Sequence, residues 1–153
     1  MGFAKLSLKG RALKLLAQRE HSRSELESKL ARHVEEGDDL AAILDELESK
    51  DFINSERVAA SVVHRRASRM GTQRVVQELR SKGLDDALIK STAAELQSTE
   101  LERALQVWKS KFGSREPATT PQEKAKQMRF LAARGFSGDV VRKVLKSAAE
   151  IDD

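Results

Sequence analysis

The sequence contains no cysteine and no tyrosine, and only two of its 153 residues are proline. Without cysteine the chain can form neither disulfides nor thiolate metal sites, which suits a reducing compartment. Five phenylalanines and one tryptophan supply the large rings, so the core must consist mainly of leucine, valine, isoleucine and alanine. No apolar run approaches the roughly 18 residues of a membrane span. We therefore expect no membrane partner.

Motifs of common catalytic and nucleotide-binding sites are also missing. The chain has no phosphate-binding glycine loop, no dinucleotide-binding glycine pattern and no zinc-binding H-E-x-x-H. The three histidines, His21, His33 and His64, stand apart in the sequence. A surface or capping role suits them better than a metal site. We expect a protein that is not an enzyme and that needs no cofactor or metal.

Charged residues make up 34% of the chain, and the two signs alternate in blocks. Residues 5–23 hold six Lys or Arg against one acid, and residues 35–56 hold nine Asp or Glu against one lysine. Further basic blocks cover 57–82 and 124–146. The blocks can be solvated helix faces that pair with one another. Three basic blocks in one chain also suit a polyanion or an acidic protein surface.

Helical periodicity and capping signals run along the whole chain. Ser22 to Glu25 and Thr120 to Glu123 match the Ser/Thr-x-x-Glu pattern of a capping box, and 113–120 is the one clear loop. The pattern predicts nine helices in three sets of three. The first spans roughly 8–20, and the others start at Ser22, Asp38 or Asp39, Asn54 or Ser55, Thr72, Asp85 or Asp86, Ser98 or Thr99, Thr120 and Ser137.

A six-residue pattern, Leu-x-x-Lys/Arg-Gly/Asp-Leu/Phe, occurs three times, as LESKDF at 47–52, LRSKGL at 79–84 and LAARGF at 131–136. It is typical of a helix end, where glycine turns left-handed at little cost and the next apolar residue folds back. A basic residue in the last turn complements the carbonyl end of the helix. Direct ligand contact by that residue is the alternative. Asp51 in place of glycine predicts a first closure that is less strictly left-handed.

The spacing of the three copies indicates a repeat. Their opening leucines are 32 and then 52 residues apart, an interval typical of tandem helical units that cannot each bury an apolar face alone. We predict an all-α protein of three tandem three-helix repeats at 1–50, 51–97 and 98–153. The repeats form an elongated array whose curvature the sequence leaves open.

Several arginines gather near the predicted turn at Gly71. Guanidinium groups suit phosphates and carboxylates, and the alternative is a solvated basic corner that pairs with the acidic helix at 38–48. Trp108 and Phe112 could stack on bases, but their helical spacing favours a place in the core. The candidate binding residues are Arg65, Arg66, Arg69, Arg74 and Arg80, with Lys82, Arg129 and Arg134 as further candidates.

Four stretches of the chain show a combined resemblance to one known family. They are LLAQREHSRSELESKL (15–30), LESKDFINSERVAASVVHRR (47–66), GTQRVVQELRSKGL (71–84) and RFLAARGFSGDVV (129–141). In this order and spacing they resemble the RecX regulatory proteins of bacteria. The resemblance covers most of the chain and is weakest over 98–123.

The resemblance implies a cytoplasmic, modular all-α protein that is not an enzyme. Such proteins bind the RecA recombinase in the groove of its filament on single-stranded DNA. They inhibit its ATPase and strand exchange, and so modulate DNA repair and the SOS response. Family members also bind DNA, so we expect weak affinity for single- or double-stranded DNA. We also expect a monomer, with the eight candidate residues contacting RecA or DNA.

Two other functions stay open from the residues alone. Three-helix units with basic faces can act as a stand-alone helical DNA-binding module or regulator. The chain can also be a structural adaptor with no affinity for DNA and with another partner.

Overall fold

The computed structural model describes residues 5–113 and 118–151. Over these residues the chain forms nine α-helices, one short 3-10 helix and no β-strand, which confirms the all-α prediction. The helices are α1 Leu8–Gln18, α2 Arg23–Leu30 with the 3-10 helix Ala31–His33 after it, α3 Leu40–Ser49, α4 Ser55–Arg66, α5 Thr72–Ser81, α6 Asp86–Ser98, α7 Glu100–Phe112, α8 Pro121–Ala133 and α9 Gly138–Ile151. Residues 114–117 of the predicted loop, and the ends of the first and third predicted repeats at 1–4 and 152–153, lie outside the described residues.

Side-chain caps confirm most of the predicted helix starts. Ser22 and Thr120 form complete capping boxes, in which each hydroxyl accepts an amide and a glutamate reaches back. Asp39, Asn54 and Asp85 cap α3, α4 and α6 with their side chains. These signals lie within three residues of each helix start, so the sequence displays them directly.

The start of α5 differs from the prediction. Thr72 is the first helical residue, and Gly71 occupies the cap position without a side-chain cap. The Thr72 amide donates to Oε1 of Glu100 in α7 at 3.4 Å, and Glu100 is buried. The cap of α5 therefore comes from a distant part of the chain.

Buried apolar side chains form three separate clusters, one for each set of three helices. We name these sets the first unit (α1–α3), the second unit (α4–α6) and the third unit (α7–α9). Trp108 and Phe112 are 8% and 4% exposed in the third cluster, which confirms their core position. Ile53, three residues beyond the predicted boundary at 50, belongs to the first cluster. The boundaries at 50/51 and 97/98 stay predictions.

The three copies of the six-residue pattern close their helices in the same way. In each copy the amide of the sixth residue donates to the carbonyl oxygen of the first, at 2.9, 3.4 and 3.3 Å in chain order. The fifth residue is left-handed in all three: Asp51 (φ 64°), Gly83 (φ 71°) and Gly135 (φ 92°). Both features define a Schellman closure, so the interpretation as a helix end is confirmed.

The prediction that Asp51 would relax the first closure is wrong, because Asp51 is as left-handed as the glycines. Aspartate tolerates this conformation when its short polar side chain finds local partners. Asp51 accepts hydrogen bonds from Asn54 Nδ2 at 2.9 Å and from Arg57 at 2.7 Å. Arg57 also donates to the Asp51 carbonyl oxygen at 2.6 Å, so both ends of the residue are held.

The second helices of the three units stack end to end. Ser22 Oγ at the start of α2 donates to the carbonyl oxygen of Lys82 at the end of α5, at 2.6 Å. The Gly71 amide at the start of α5 donates to the carbonyl oxygen of Arg134 at the end of α8, at 2.7 Å. At both contacts the carbonyl end of one helix meets the start of another, and the bond satisfies a group that a helix terminus leaves open.

Arg103 in α7 fastens the third unit to the second. Its five N–H donors all have acceptors, two of which are the carbonyl oxygens that follow α4. The acceptors are Thr99 Oγ1 (3.2 Å), Ala67 O (2.9 Å), Met70 O (2.6 Å), Thr72 Oγ1 (3.3 Å) and Leu96 O (2.9 Å). Among the hydrogen bonds of residues 5–113 and 118–151, none joins the first unit to the third. The units therefore contact one another in series.

Candidate functional site

The structure divides the predicted arginine cluster between two grooves. We name the first the α4–α5 groove, a space of about 340 Å³, and the second the α7–α8 groove, a space of about 250 Å³. The α4–α5 groove is lined by Arg66, Met70, Arg74, Gln77 and Glu78. The α7–α8 groove is lined by Ser68, Arg69, Val107, Ser110, Lys111, Phe130 and Arg134.

The α4–α5 groove contains charges of both signs. Arg66 Nε lies 3.4 Å from Oε2 of Glu78, and Arg65 lies 4.0 Å from Oε1 of the same carboxylate. The predicted alternative, pairing of this corner with the acidic helix at 38–48, is wrong for these two arginines, because Glu78 in α5 lies nearer. Over the part of the chain that the structure describes, Arg74 has no ion-pair partner. Glu78 thus faces two guanidinium groups, and Arg74 adds a further positive charge to the lining, which leaves the groove basic.

Among the residues that the structure describes, the lining of the α7–α8 groove combines an aromatic ring with positive charges and no carboxylate. Arg134 Cζ lies 5.1 Å and Lys111 Nζ 5.7 Å from the centre of the Phe130 ring, within the range of cation–π contacts. The Phe112 ring meets Phe130 edge-on, with centroids 5.3 Å apart, and holds it in place. Arg69 enters the groove from the turn after α4. A groove of this kind suits a phosphate backbone with a base against the ring.

The two grooves bring together Arg69 with Arg134 and Arg66 with Arg74. The other four candidates, Arg65, Arg80, Lys82 and Arg129, are not among the lining residues. Arg80 and Arg129 are exposed on α5 and α8, away from both grooves. Lys82 is only 11% exposed, because its Nζ lies 3.1 Å from Oε1 of Glu25 in the first unit. Its ammonium group therefore holds the junction of α5 with α2.

Sequence reasoning missed two members of the α7–α8 groove, Lys111 and Phe130. Phe130 is separated from its cationic partner Lys111 by 19 positions, so no local pattern connects them. The sequence signal that was available is the run Arg129 to Arg134, in which the ring of Phe130 lies one helical turn before the guanidinium of Arg134.

Within residues 5–113 and 118–151, the three histidines belong to no group that could hold a metal ion. The expected surface position is wrong for His21, which is 1% exposed, whereas its contact with Arg19, the C-cap residue of α1, fits the expected capping role. Its Nδ1 lies 3.0 Å from the carbonyl oxygen of Arg19, and its Nε2 lies 3.1 Å from Lys29 Nζ. Within the described ranges no group of three or more His, Asp or Glu is placed to hold a metal ion. No helix in the same ranges has the length and apolar composition to cross a bilayer.

Comparisons with known proteins agree with the repeat architecture. The family model "RecX, second three-helix domain" matches residues 54–92, and "RecX, third three-helix domain" matches residues 98–145. The curated Regulatory protein RecX of Leptothrix cholodnii is 51% identical, covering 94% of this chain and 90% of that relative. The relative of the same name from Ralstonia nicotianae is 49% identical, covering 97% of this chain and 92% of that relative.

A solved structure shows the same fold. The crystal structure of RecX from Lactobacillus salivarius superposes with a TM-score of 0.79 and covers 93% of this chain and 94% of that one, at 21% sequence identity. At that identity the likeness concerns the fold alone. It supports the arrangement of tandem three-helix units.

Proposed function

Because the chain belongs to the RecX family of regulatory proteins, we propose that it binds the RecA recombinase in the groove of its filament on single-stranded DNA. Binding there inhibits the ATPase and strand exchange of RecA, and so modulates DNA repair and the SOS response. The observation that carries the proposal is the 51% identity to a curated regulatory protein RecX over 94% of this chain. The protein acts by binding, as a cytoplasmic monomer without a cofactor.

The serial arrangement of the units supports a filament as the partner. Each unit has its own apolar core, and hydrogen bonds connect it to its neighbours through the ends of α2, α5 and α8. An array of this kind presents successive units along one direction, as solenoid proteins do with extended partners. Neighbouring RecA subunits in a filament offer such an extended surface.

The charges of the two grooves suggest different partners. In the α4–α5 groove a carboxylate already lies among the arginines, and guanidinium groups with carboxylates are common at protein–protein contacts. Over the described part of the chain, the α7–α8 groove is lined by three cations, a phenyl ring and no acidic residue, which suits nucleic acid. We propose that the α4–α5 groove contacts RecA and that the α7–α8 groove contacts DNA.

The test is ATP hydrolysis by RecA on single-stranded DNA in the presence of increasing amounts of the purified chain. We expect hydrolysis to fall and strand exchange to stop. The control is an unrelated ATPase that also depends on single-stranded DNA, since its inhibition would show that the chain only sequesters DNA. Unchanged RecA activity at excess chain would contradict the proposal.

A stand-alone DNA-binding module is the second candidate function, and the α7–α8 groove is the observation that favours it. Its mark is sequence-preferring binding to DNA without RecA, with a steep dependence on salt. Anisotropy titrations with labelled duplexes of different sequence, at several salt concentrations, measure both properties. Weak binding without preference would argue against this function.

A further inference from the structure

The first unit contains a basic pocket that the proposed function does not use. It is a space of about 550 Å³ between α1, α2 and the 3-10 helix, the size of a small-ligand site. Arg11 and Lys14 of α1 line one side, and Lys29 and Arg32 line the other. No Asp or Glu is among its described lining residues.

The cations of this pocket differ from their neighbours in having no acidic partner. Lys9 lies 2.8 Å from Glu46, and Arg23 lies 2.6 Å from Asp45, so those cations pair with the acidic block of the sequence. For residues 5–113 and 118–151, no ion pair is formed by the four pocket cations Arg11, Lys14, Lys29 and Arg32. The first basic block therefore splits into paired cations outside the pocket and unpaired cations within it.

Two of the pocket cations are positioned by histidines. Lys29 Nζ lies 3.1 Å from His21 Nε2, and Arg32 Nε donates to His33 Nε2 at 3.3 Å. A histidine nitrogen accepts a hydrogen bond from a cation only when the ring is neutral. Burial and the neighbouring cations lower the pKa of both histidines. Lys29 and Arg32 are thus held in place without loss of their positive charge.

The floor of the pocket is aliphatic. Leu6, Leu15 and Leu30 line it, and Leu6 is 47% exposed. The one ring among the described lining residues is that of His33, whose Nε2 already accepts a hydrogen bond from Arg32, whereas three leucines offer apolar surface. The pocket therefore suits an anion that carries an apolar side chain.

We propose that this pocket of the first unit binds an acidic peptide segment of a partner protein, with an apolar side chain of the peptide on Leu15 and Leu30. The carboxylates of the segment bind Arg11, Lys14, Lys29 and Arg32. Charge complementarity carries the choice of partner, because four unpaired cations surround an apolar floor. This inference stands apart from the proposed binding of RecA and DNA.

The experiment measures binding of a short fluorescein-labelled peptide of Asp and Glu around a central Leu-Phe pair to the full chain. The variant Arg11→Glu/Lys14→Glu should lose about tenfold in affinity, since it reverses two charges at the pocket. The matched control Lys90→Glu/Lys143→Glu reverses two exposed charges in the second and third units, and should leave the affinity unchanged. Circular dichroism checks that both variants stay helical, and Arg11→Gln/Lys14→Gln replaces the first if it does not fold.

Two further probes decide what the pocket recognises. The same peptide with Ser-Ser in place of Leu-Phe should bind more weakly, and equal binding would overturn the proposal. An oligothymidylate should bind both double variants alike. A loss of oligothymidylate affinity confined to Arg11→Glu/Lys14→Glu would make nucleic acid the ligand and overturn the proposal. Equal loss of peptide affinity in both double variants, or no measurable binding of the peptide, would also overturn it. No RecA is present, so failure here is distinct from failure of the proposed function.

Discussion

The Ser22 hydroxyl lies 2.6 Å from the carbonyl oxygen of Lys82 and joins the start of α2 to the end of α5. The same hydroxyl accepts the Glu25 amide at 3.1 Å as the cap of its own helix. One side chain therefore satisfies an open amide of one helix and an open carbonyl of the next unit. The residue that ends α5 belongs to the repeated six-residue pattern, so the pattern both stops a helix and joins two units.

Replacement of Ser22 by alanine tests this double role. Ser22→Ala removes the cap and the bond to Lys82, and we expect the free energy of unfolding to fall by about 1–3 kcal/mol. Thr120→Ala is the control, because the Thr120 hydroxyl accepts the Glu123 amide at 3.2 Å in the capping box of α8. It should cost about 1 kcal/mol. Urea denaturation followed by circular dichroism gives both values. Equal losses for the two variants would show that the bond from Ser22 to Lys82 adds nothing to stability.

Gly83 closes α5 where α2 approaches it. A Cβ atom at Gly83 would lie 2.7 Å from Ser24 Cβ, whereas a Cβ atom at Gly37 would meet nothing within 4 Å. Both glycines are left-handed, with φ 71° and 87°. Gly37→Ala should cost about 1–2 kcal/mol from conformation alone, and Gly83→Ala should cost more because α5 must move away from α2. Matching unfolding free energies for the two variants would contradict the close contact.

Glu25 makes the same junction sensitive to acid. Burial opposes its ionisation, but hydrogen bonds from Arg19, the Ser22 amide and Lys82 outweigh that effect and lower the pKa of Glu25 to about 2. The unfolded carboxyl titrates at pH ~4.3. Between the two pKa values the unfolded chain therefore binds more protons than the folded chain, and stability is lost as the pH falls from about 5 to about 2. The stability difference between the native chain and Glu25→Gln should shrink over that window. Urea titrations at successive pH values measure it, and a constant difference would be the contrary result.

We expect substitution of Arg103 to weaken the contact between the second and third units more than substitution of any other arginine. Arg103→Lys keeps the charge but cannot reach five acceptors, and leaves the carbonyl oxygens of Ala67 and Met70 short of donors. We expect a loss of about 2–4 kcal/mol. Arg129→Lys, at an exposed position of α8, should change stability by less than about 0.5 kcal/mol. Thermal denaturation compares the two, and similar melting temperatures would contradict the role of Arg103.

Local features of the fold could be predicted from the sequence, and contacts between units could not. Capping boxes and Schellman closures involve residues three to five positions apart, so Ser22, Thr120 and Gly83 display them directly. Three of the five partners of Arg103 and the cap of Thr72 lie 28 to 36 positions away. Nothing in the local pattern connects such residues. The expected cap at Thr72 was wrong for this reason.

The candidate binding residues show the same limit. Arg65, Arg66 and Arg69 are close in sequence, but the first two lie at the end of α4 and Arg69 lies in the turn after it. Arg65 and Arg66 face Glu78 of α5, while Arg69 lines the groove between α7 and α8. Their grouping could be predicted, and the division into two grooves depends on where the third unit docks.

We expect substitutions in the two grooves to affect DNA binding and inhibition of RecA separately. Arg69→Ala/Arg134→Ala removes two cations from the α7–α8 groove, and Arg66→Ala/Arg74→Ala removes two from the α4–α5 groove. Each pair is the charge-matched control for the other. We expect the first pair to weaken binding to single-stranded DNA about tenfold and to reduce the salt slope by about two, because two phosphate contacts are lost.

The second pair should leave affinity for single-stranded DNA nearly unchanged and should raise the amount of chain needed to inhibit RecA. Anisotropy on labelled oligothymidylate at several salt concentrations, together with the RecA ATPase titration, measures both effects on the same preparations. Circular dichroism confirms that each variant remains helical. If both pairs lowered DNA affinity equally, loss of positive charge alone would explain the result, and the proposed division of functions between the two grooves would be contradicted. If neither pair changed either activity, the exposed Arg80 and Arg129 would become the next residues to replace.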